Sequence, residues 1–175
     1  MKVLVTGGVR SGKSRHAEAL LAGRADVAYV APGPTAEEDR DPDWAARIAA
    51  HRARRPPGWR THETRDVAGV LRAARGPVLV DCLGTWLTGV IDGRGLWDAP
   101  GERAAEAVHA LVDEVAEAVR AATDVVLVTN EVGLGVVPSH RSGRLFRDLL
   151  GTVNQRVADA CDEVHLVIAG RVLVL

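Results

Sequence analysis

KVLVTGGVRSGKSRHAEAL, residues 2–20, decides the fold. The run KVLVT (2–6) reads as a buried strand, Gly7 and Gly8 break it, and from Lys13 to about Ala22 the pattern becomes helical. Within it, GGVRSGKS satisfies GxxxxGK[ST] through Gly7, Gly12, Lys13 and Ser14, in the strand–turn–helix context that a phosphate-binding loop requires. Gly7, Gly8, Val9, Arg10, Ser11 and Gly12 would offer backbone N–H groups to a nucleotide's phosphates at a positive helix terminus. Lys13 would reach the β/γ oxygens and Ser14 would give its hydroxyl to Mg²⁺. The bland alternative is a glycine turn that opens an ordinary helix.

Outward from this loop, strands and helices alternate. DVAYVA (26–31) reads as a second strand, stopped by Pro32, Gly33 and Pro34. Asp41 is placed to cap a helix with Pro42 in its first turn, and Trp44, Ile48, His51 and Arg55 recur at helical spacing until Pro56 and Pro57 end it. A short WRTHE segment, a helix near 66–74 and the strand PVLVDC (77–82) follow. A glycine-rich surface loop is expected over 92–101. Beyond it comes a long helix with Val108, Leu111, Val112, Val115 and Val119 on one stripe. Strand DVVLVT (124–129) leads to a helix over 142–161 with Leu145, Leu149, Val153 and Val157 inward. EVHLVIA, a Gly170–Arg171 turn and VLVL suggest a C-terminal edge hairpin. Apolar strands separated by helices imply an α/β fold of P-loop NTPase type: one domain over 1–175, a mostly parallel sheet covered on both faces. Ligands in such sheets bind at the carboxyl ends of the strands.

Composition narrows the function. With 175 residues, 47% hydrophobic and 26% charged, the chain suits a globular domain, not a disordered or fibrous one. No apolar run approaches the roughly 20 residues of a membrane span, and the N-terminus turns to glycine too soon for a signal peptide, so a cytoplasmic protein is expected. A net charge of −1 and six aromatic residues argue against a nucleic-acid partner. Cys82 and Cys161 lack metal-ligand spacing and read as small hydrophobes. Of 22 basic residues only Lys2 and Lys13 are lysine, which sets Lys13 apart.

Two further features carry chemistry. A P-loop protein places an acid at the end of a neighbouring strand to hold the metal's water shell. Asp81 after VLV fits, unless it merely caps a helix starting near Leu83; Glu131 after VLVTN is the rival, unless it is a solvated loop acid. Between Arg47 and Arg60 stand five arginines and His51 with no acid. On a helix Arg47, Arg54 and Arg55 fall within about 60° of His51. Cations around the ring favour neutral imidazole, the form that can attack phosphorus. Spacing equally allows a core histidine packed with Trp44 and Ile48 beside solvated arginines.

These stretches resemble a known family, the bifunctional adenosylcobinamide kinase and adenosylcobinamide-phosphate guanylyltransferase of cobalamin biosynthesis. The likeness runs nearly end to end, through VTGGVRSGKSRHAEAL, AARIAAHRARRPPGWRTHE, VLVDCLGTWLT and VTNEVGLGVVPSHRSGRLFRDLLGTVNQRVADACDEVHLVIAG. It implies that His51 becomes covalently guanylylated, and that Arg52, Arg55, Glu63 and Asp81 lie around the guanine nucleotide or its metal. It also implies GTP and ATP as substrates, Mg²⁺ as cofactor, adenosylcobinamide and its phosphate as small-molecule partners, and a homotrimer. Three departures bear on loop geometry: Ala31-Pro32 where the family has Ala-Thr, Gly84 and Gly89 where it has larger or polar residues, and Trp44 where methionine is common. Two other readings of the loop are a small-molecule kinase without nucleotidyl transfer, and a RecA-like switch acting through residues 32–43 and 131–142.

Overall fold

The computed structural model describes residues 1–175. In chain order the elements are β1 (Lys2–Gly7), α1 (Lys13–Leu20), β2 (Ala28–Val30), α2 (Pro42–Arg54), β3 (Arg60–His62), α3 (Val67–Ala73), β4 (Val78–Asp81), α4 (Leu83–Gly93), α5 (Gly101–Ala121), β5 (Val125–Val128), α6 (Arg141–Ala158), β6 (Glu163–Ile168) and β7 (Arg171–Val174). The seven strands form one sheet in the order β3-β2-β4-β5-β1-β6-β7. Every pairing is parallel except β6 with β7.

Strand alternation divides the core between the two faces. Val3, Val5, Tyr29, Leu79, Val126 and Val128 point to the side covered by Ala17 of α1 and Leu21 just after it. Leu4, Val30, Val78, Val80, Val125 and Leu127 point to the side covered by α3, α4, α5 and α6. The expected stripe on α5 buries Val108, Val112, Val115 and Val119, with Leu111 half-buried, and α6 buries Leu149, Val153 and Val157.

Four expectations shift. β2 contracts to three residues because Val27, though fully buried, lies before the paired segment. β3 is a polar edge strand that periodicity did not mark. The loop expected over 92–101 starts later, since α4 runs to Gly93, and it buries Leu96. In the hairpin the turn residues are Ala169 and Gly170, at φ 49° and 76°, and Ile168 already pairs with Arg171. Two left-handed residues give the tight turn whose twist matches a hairpin.

Candidate functional site

The sequence places a turn between β1 and α1, and the fold wedges it against β6. A Cβ on Gly7 would lie 2.4 Å from the Val167 carbonyl oxygen and 2.8 Å from Ser11 Oγ, at φ +155°, so only glycine fits. Arg10 and Gly12 take left-handed backbone, at φ 57° and 98°, which curls the loop over the start of α1. The hairpin turn braces it, with Gly170 N donating to Ser11 O at 2.8 Å. Gly8, Val9 and Arg10 remain exposed at the rim.

Lys13 is buried, and its Nζ donates to the Gly8 carbonyl at 3.1 Å. Burial pushes its ammonium below the ordinary lysine value and Arg47 adds to this, while Cys82 and Asp81 oppose it. A partly desolvated cation folded back on its own loop is well prepared for phosphate oxygens. Ser11 Oγ is also buried and has no hydrogen-bond partner.

β4 ends at Asp81, beside this loop. Its carboxylate is 7% exposed and accepts a hydrogen bond from the Tyr29 hydroxyl at 3.0 Å. Burial alone would push the carboxyl up, but hydrogen bonds from His51, Ser14 and Tyr29, with the charge of His51, outweigh it and hold the group below the usual range. Asp81 does not cap α4, whose N-cap is Cys82. Burial pushes the Cys82 thiol up, so this neighbour is not a thiolate. Glu131 is spent on its own loop: its Oε1 accepts from Gly133 N at 2.6 Å while its backbone N–H reaches Gly7 O at 3.2 Å.

α2 begins as its sequence indicates, with Asp41 accepting from Asp43 N and Pro42 in the first turn. It buries none of its residues, so the packed-core alternative for His51 is not what the fold does. Instead α2 lies along a cleft, which Trp44, Ile48 and His51 line together with Tyr29, Asp81 and Thr85. His51 Nδ1 is 3.5 Å from Asp81 Oδ2, and the imidazole is 21% exposed. His51 therefore has an anion beside it, in a cleft that Arg47, Arg52 and Arg55 also line. Each arginine has its own anchor. Arg54 turns away to Glu18 on α1, at 3.2 Å and 2.9 Å. Arg47 lies over Trp44, 5.9 Å from the ring centroid. Arg52 bonds Glu63. Arg55 stacks 3.5 Å above the Tyr29 ring, donates to Thr61 at 3.0 Å and keeps a buried Nε without a partner.

Arg52, Arg55 and Glu63 line the same cleft as His51 and Asp81. Lys13 feels the charge of Asp81, and Ser14 follows Lys13 in the first turn of α1. Sequence reasoning missed Tyr29. A hydroxyl on an otherwise fully buried strand needs a partner, and that was the available signal. Among the departures, Gly89 has a clear counterpart: a Cβ there would meet Arg65 Nε at 2.4 Å, and Arg65 reaches on to Glu38 at 3.1 Å. Gly84 leaves room for Asn130, whose Oδ1 would be 2.7 Å from a Cβ.

The family model described as cobinamide kinase / cobinamide phosphate guanyltransferase matches residues 3–175. The chain is 42% identical to the bifunctional adenosylcobalamin biosynthesis protein CobU of Salmonella typhimurium and 41% identical to CobU of Escherichia coli, each over 97% of both chains. It is 42% identical to the bifunctional adenosylcobalamin biosynthesis protein CobP of Pseudomonas aeruginosa, over 97% of this chain and 94% of the relative.

Proposed function

This chain belongs to the cobinamide kinase / cobinamide phosphate guanyltransferase family, and from that premise we propose how its residues divide the two reactions. In the first, a nucleoside triphosphate, ATP or GTP, gives its γ-phosphoryl group to the hydroxyl of the aminopropanol arm of adenosylcobinamide. The loop 7–14 holds the phosphates through its N–H groups, and Lys13 offsets their charge. In the second, His51 takes the guanylyl group from GTP with loss of pyrophosphate, and adenosylcobinamide phosphate attacks that intermediate to form adenosylcobinamide-GDP. A covalent intermediate turns one difficult transfer into two in-line displacements. Arg52, Arg55 and Glu63 hold the guanine nucleotide in the cleft.

The observation that carries this reading is the meeting of His51 and Tyr29 on one buried carboxylate, Asp81, beside the phosphate loop, with the Tyr29 hydroxyl 3.0 Å and His51 Nδ1 3.5 Å from the same oxygen. A serine hydroxyl in the first turn of α1 and a carboxylate at the end of a neighbouring strand, β4, are the donor types that Mg²⁺ takes in P-loop proteins, so Ser14 and Asp81 would hold it. When bound, the ion neutralises charge on the phosphate oxygens.

The experiment is incubation with GTP labelled at the α-phosphate. Label should survive denaturation, resist alkali, be lost in acid as a phosphoramidate is, and map to His51. Mass spectrometry of products formed from adenosylcobinamide should show the phosphate and then the GDP derivative. GTP turnover that required DNA or a protein partner would overturn the reading.

The proposal takes residues 1–175 as one nucleotide-binding domain and places it in the cytoplasm with its nucleotide substrates. No helix is long and apolar enough to cross a membrane. It includes a homotrimer, and the exposed Val172, Leu173 and Val174 of edge strand β7 are a surface that assembly would cover. A stable monomer by light scattering at micromolar concentration would count against that part.

A further inference from the structure

The phenol of Tyr29 has no part in the two transfers as divided above, yet it meets both Asp81 and Arg55. Tyr29 is 1% exposed on β2. Its hydroxyl donates to Asp81 Oδ2 at 3.0 Å, and that same oxygen lies 3.5 Å from His51 Nδ1. Resting on the guanylyl-transfer reading above, we infer that Tyr29 and Asp81 are positioning residues that hold His51 with its proton on Nδ1, so that Nε2 is the atom that attacks the α-phosphorus.

The Tyr29 hydroxyl has one hydrogen to give, and 3.0 Å from a carboxylate oxygen it gives it there. An ionised carboxylate has acceptors alone, and a bare ring nitrogen facing it would set lone pair against lone pair. Nδ1 is therefore the nitrogen that carries hydrogen, and in neutral imidazole this leaves the lone pair on Nε2. The phenol fixes which carboxylate oxygen faces the ring. Arg55, stacked 3.5 Å from the Tyr29 centroid and anchored on Thr61, keeps the phenol from swinging out.

The step balances without a base. The Nε2–P bond forms as the bond between the α-phosphorus and its bridging oxygen breaks, and pyrophosphate leaves with that electron pair. The Nδ1 proton stays where it is, and the positive charge gained by the ring is offset by Asp81. In the return step a phosphate oxygen of adenosylcobinamide phosphate attacks the phosphorus, and the Nε2–P electron pair returns to His51. This resembles the way an aspartate fixes the tautomer of a catalytic histidine in hydrolases, with phosphorus in place of a proton as the electrophile.

Two measurements test the inference on the full chain. The first needs no variant: guanylylated wild-type protein, labelled with ¹⁵N-histidine, is denatured in alkali and its ³¹P–¹⁵N couplings are read by NMR. The Nε2-linked isomer is expected, and an Nδ1-linked isomer overturns the proposal. The second is Tyr29→Phe, which keeps the ring and its stacking with Arg55 but removes the donor. The rate constant for label uptake should fall about tenfold while the apparent KM for GTP changes by less than about twofold, as expected for an interaction exerted through another residue. An unchanged thermal midpoint will show that the variant folds; should it not fold, the isomer decides alone. Label uptake at the wild-type rate, or a loss confined to KM, overturns the role given to Tyr29. Absence of any label on wild-type His51 would instead remove the guanylyl-transfer reading itself.

Discussion

Residues 7–14 are anchored between β1, β6 and the first turn of α1, with no room for a Cβ at Gly7 and with Lys13 buried, while Gly8, Val9 and Arg10 form an exposed rim. Helix α2, which brings His51, buries none of its thirteen residues and lies against the fold through side-chain contacts at its two ends. Trp44 Nε1 donates to Pro34 O at 2.9 Å near its start, and Arg54 grips Glu18 near its end. The first region is shaped by backbone and cannot yield much without unfolding its neighbours. The second is an amphipathic cover whose His51 depends on a few polar anchors. This division suits the two transfers proposed above, in which the loop 7–14 would stay fixed for both and the proposed nucleophile, His51, would ride on the element that can adjust.

The sharpest way to break this comparison is to remove the nucleophile. His51→Asn should abolish α-phosphate labelling and guanylyl transfer, with cobinamide phosphorylation falling by no more than a few-fold, because the loop and its lysine are untouched. Should the kinase reaction vanish as well, the two regions would not be separable. Next in size is Lys13→Ala, expected to lower phosphoryl transfer about a thousandfold with the fold retained. Lys13→Arg should fail to restore the rate, since a planar fork cannot replace a compact ammonium in so tight a loop. A folded, fully active variant of either kind would contradict the phosphate-loop assignment.

Asp81→Asn acts at the junction of the two regions. It should weaken both half-reactions by about ten- to a hundredfold and shift their Mg²⁺ dependence more than nucleotide affinity. Glu131→Gln should have little effect on Mg²⁺ dependence, because Glu131 is tied to Gly133. The reverse pattern would transfer the metal role to Glu131. The depressed Asp81 carboxyl gives this prediction a sign with pH. A carboxyl held below its unfolded value contributes stability that is complete above the unfolded value and is lost as pH falls through the folded one. Urea titrations should therefore show wild type losing stability relative to Asp81→Asn on acidification below the ordinary carboxylate range.

The same contrast explains what the sequence disclosed. The turn at 7–14 was legible because its shape is written in contiguous residues, glycines at the turns and lysine and serine entering the helix. The start of α2 was legible for the same reason, since an N-cap aspartate and the proline after it are local signals. The surroundings of His51 were not. Its carboxylate comes from β4, thirty residues on, and the hydroxyl that holds that carboxylate comes from β2. Helical spacing put Arg54 beside the imidazole, but the acid that draws it away is Glu18, on a helix whose proximity no local pattern reveals. β3 escaped notice because Arg60, Thr61 and His62 are all exposed at a sheet edge, where burial imposes no alternation.

The Arg54–Glu18 pair gives the smallest and most specific test of the comparison. It is the two-point ion pair that joins the cover helix to the phosphate-loop helix, through Nε at 3.2 Å and Nη2 at 2.9 Å. Glu18 is 13% exposed and Arg54 35%, so water still screens the pair and a contribution of about 0.5–1 kcal/mol is the realistic scale. Arg54→Ala should leave global stability nearly unchanged, because α2 buries no core residue. It should raise the apparent KM for GTP in the labelling reaction about two- to fivefold, since α2 would close over the cleft less often. Glu18→Ala should do the same, and the double variant should add little beyond either single change, the signature of one shared interaction. Effects that simply add would mean that the two side chains act independently and that α2 is held in place by its contacts at the Trp44 end.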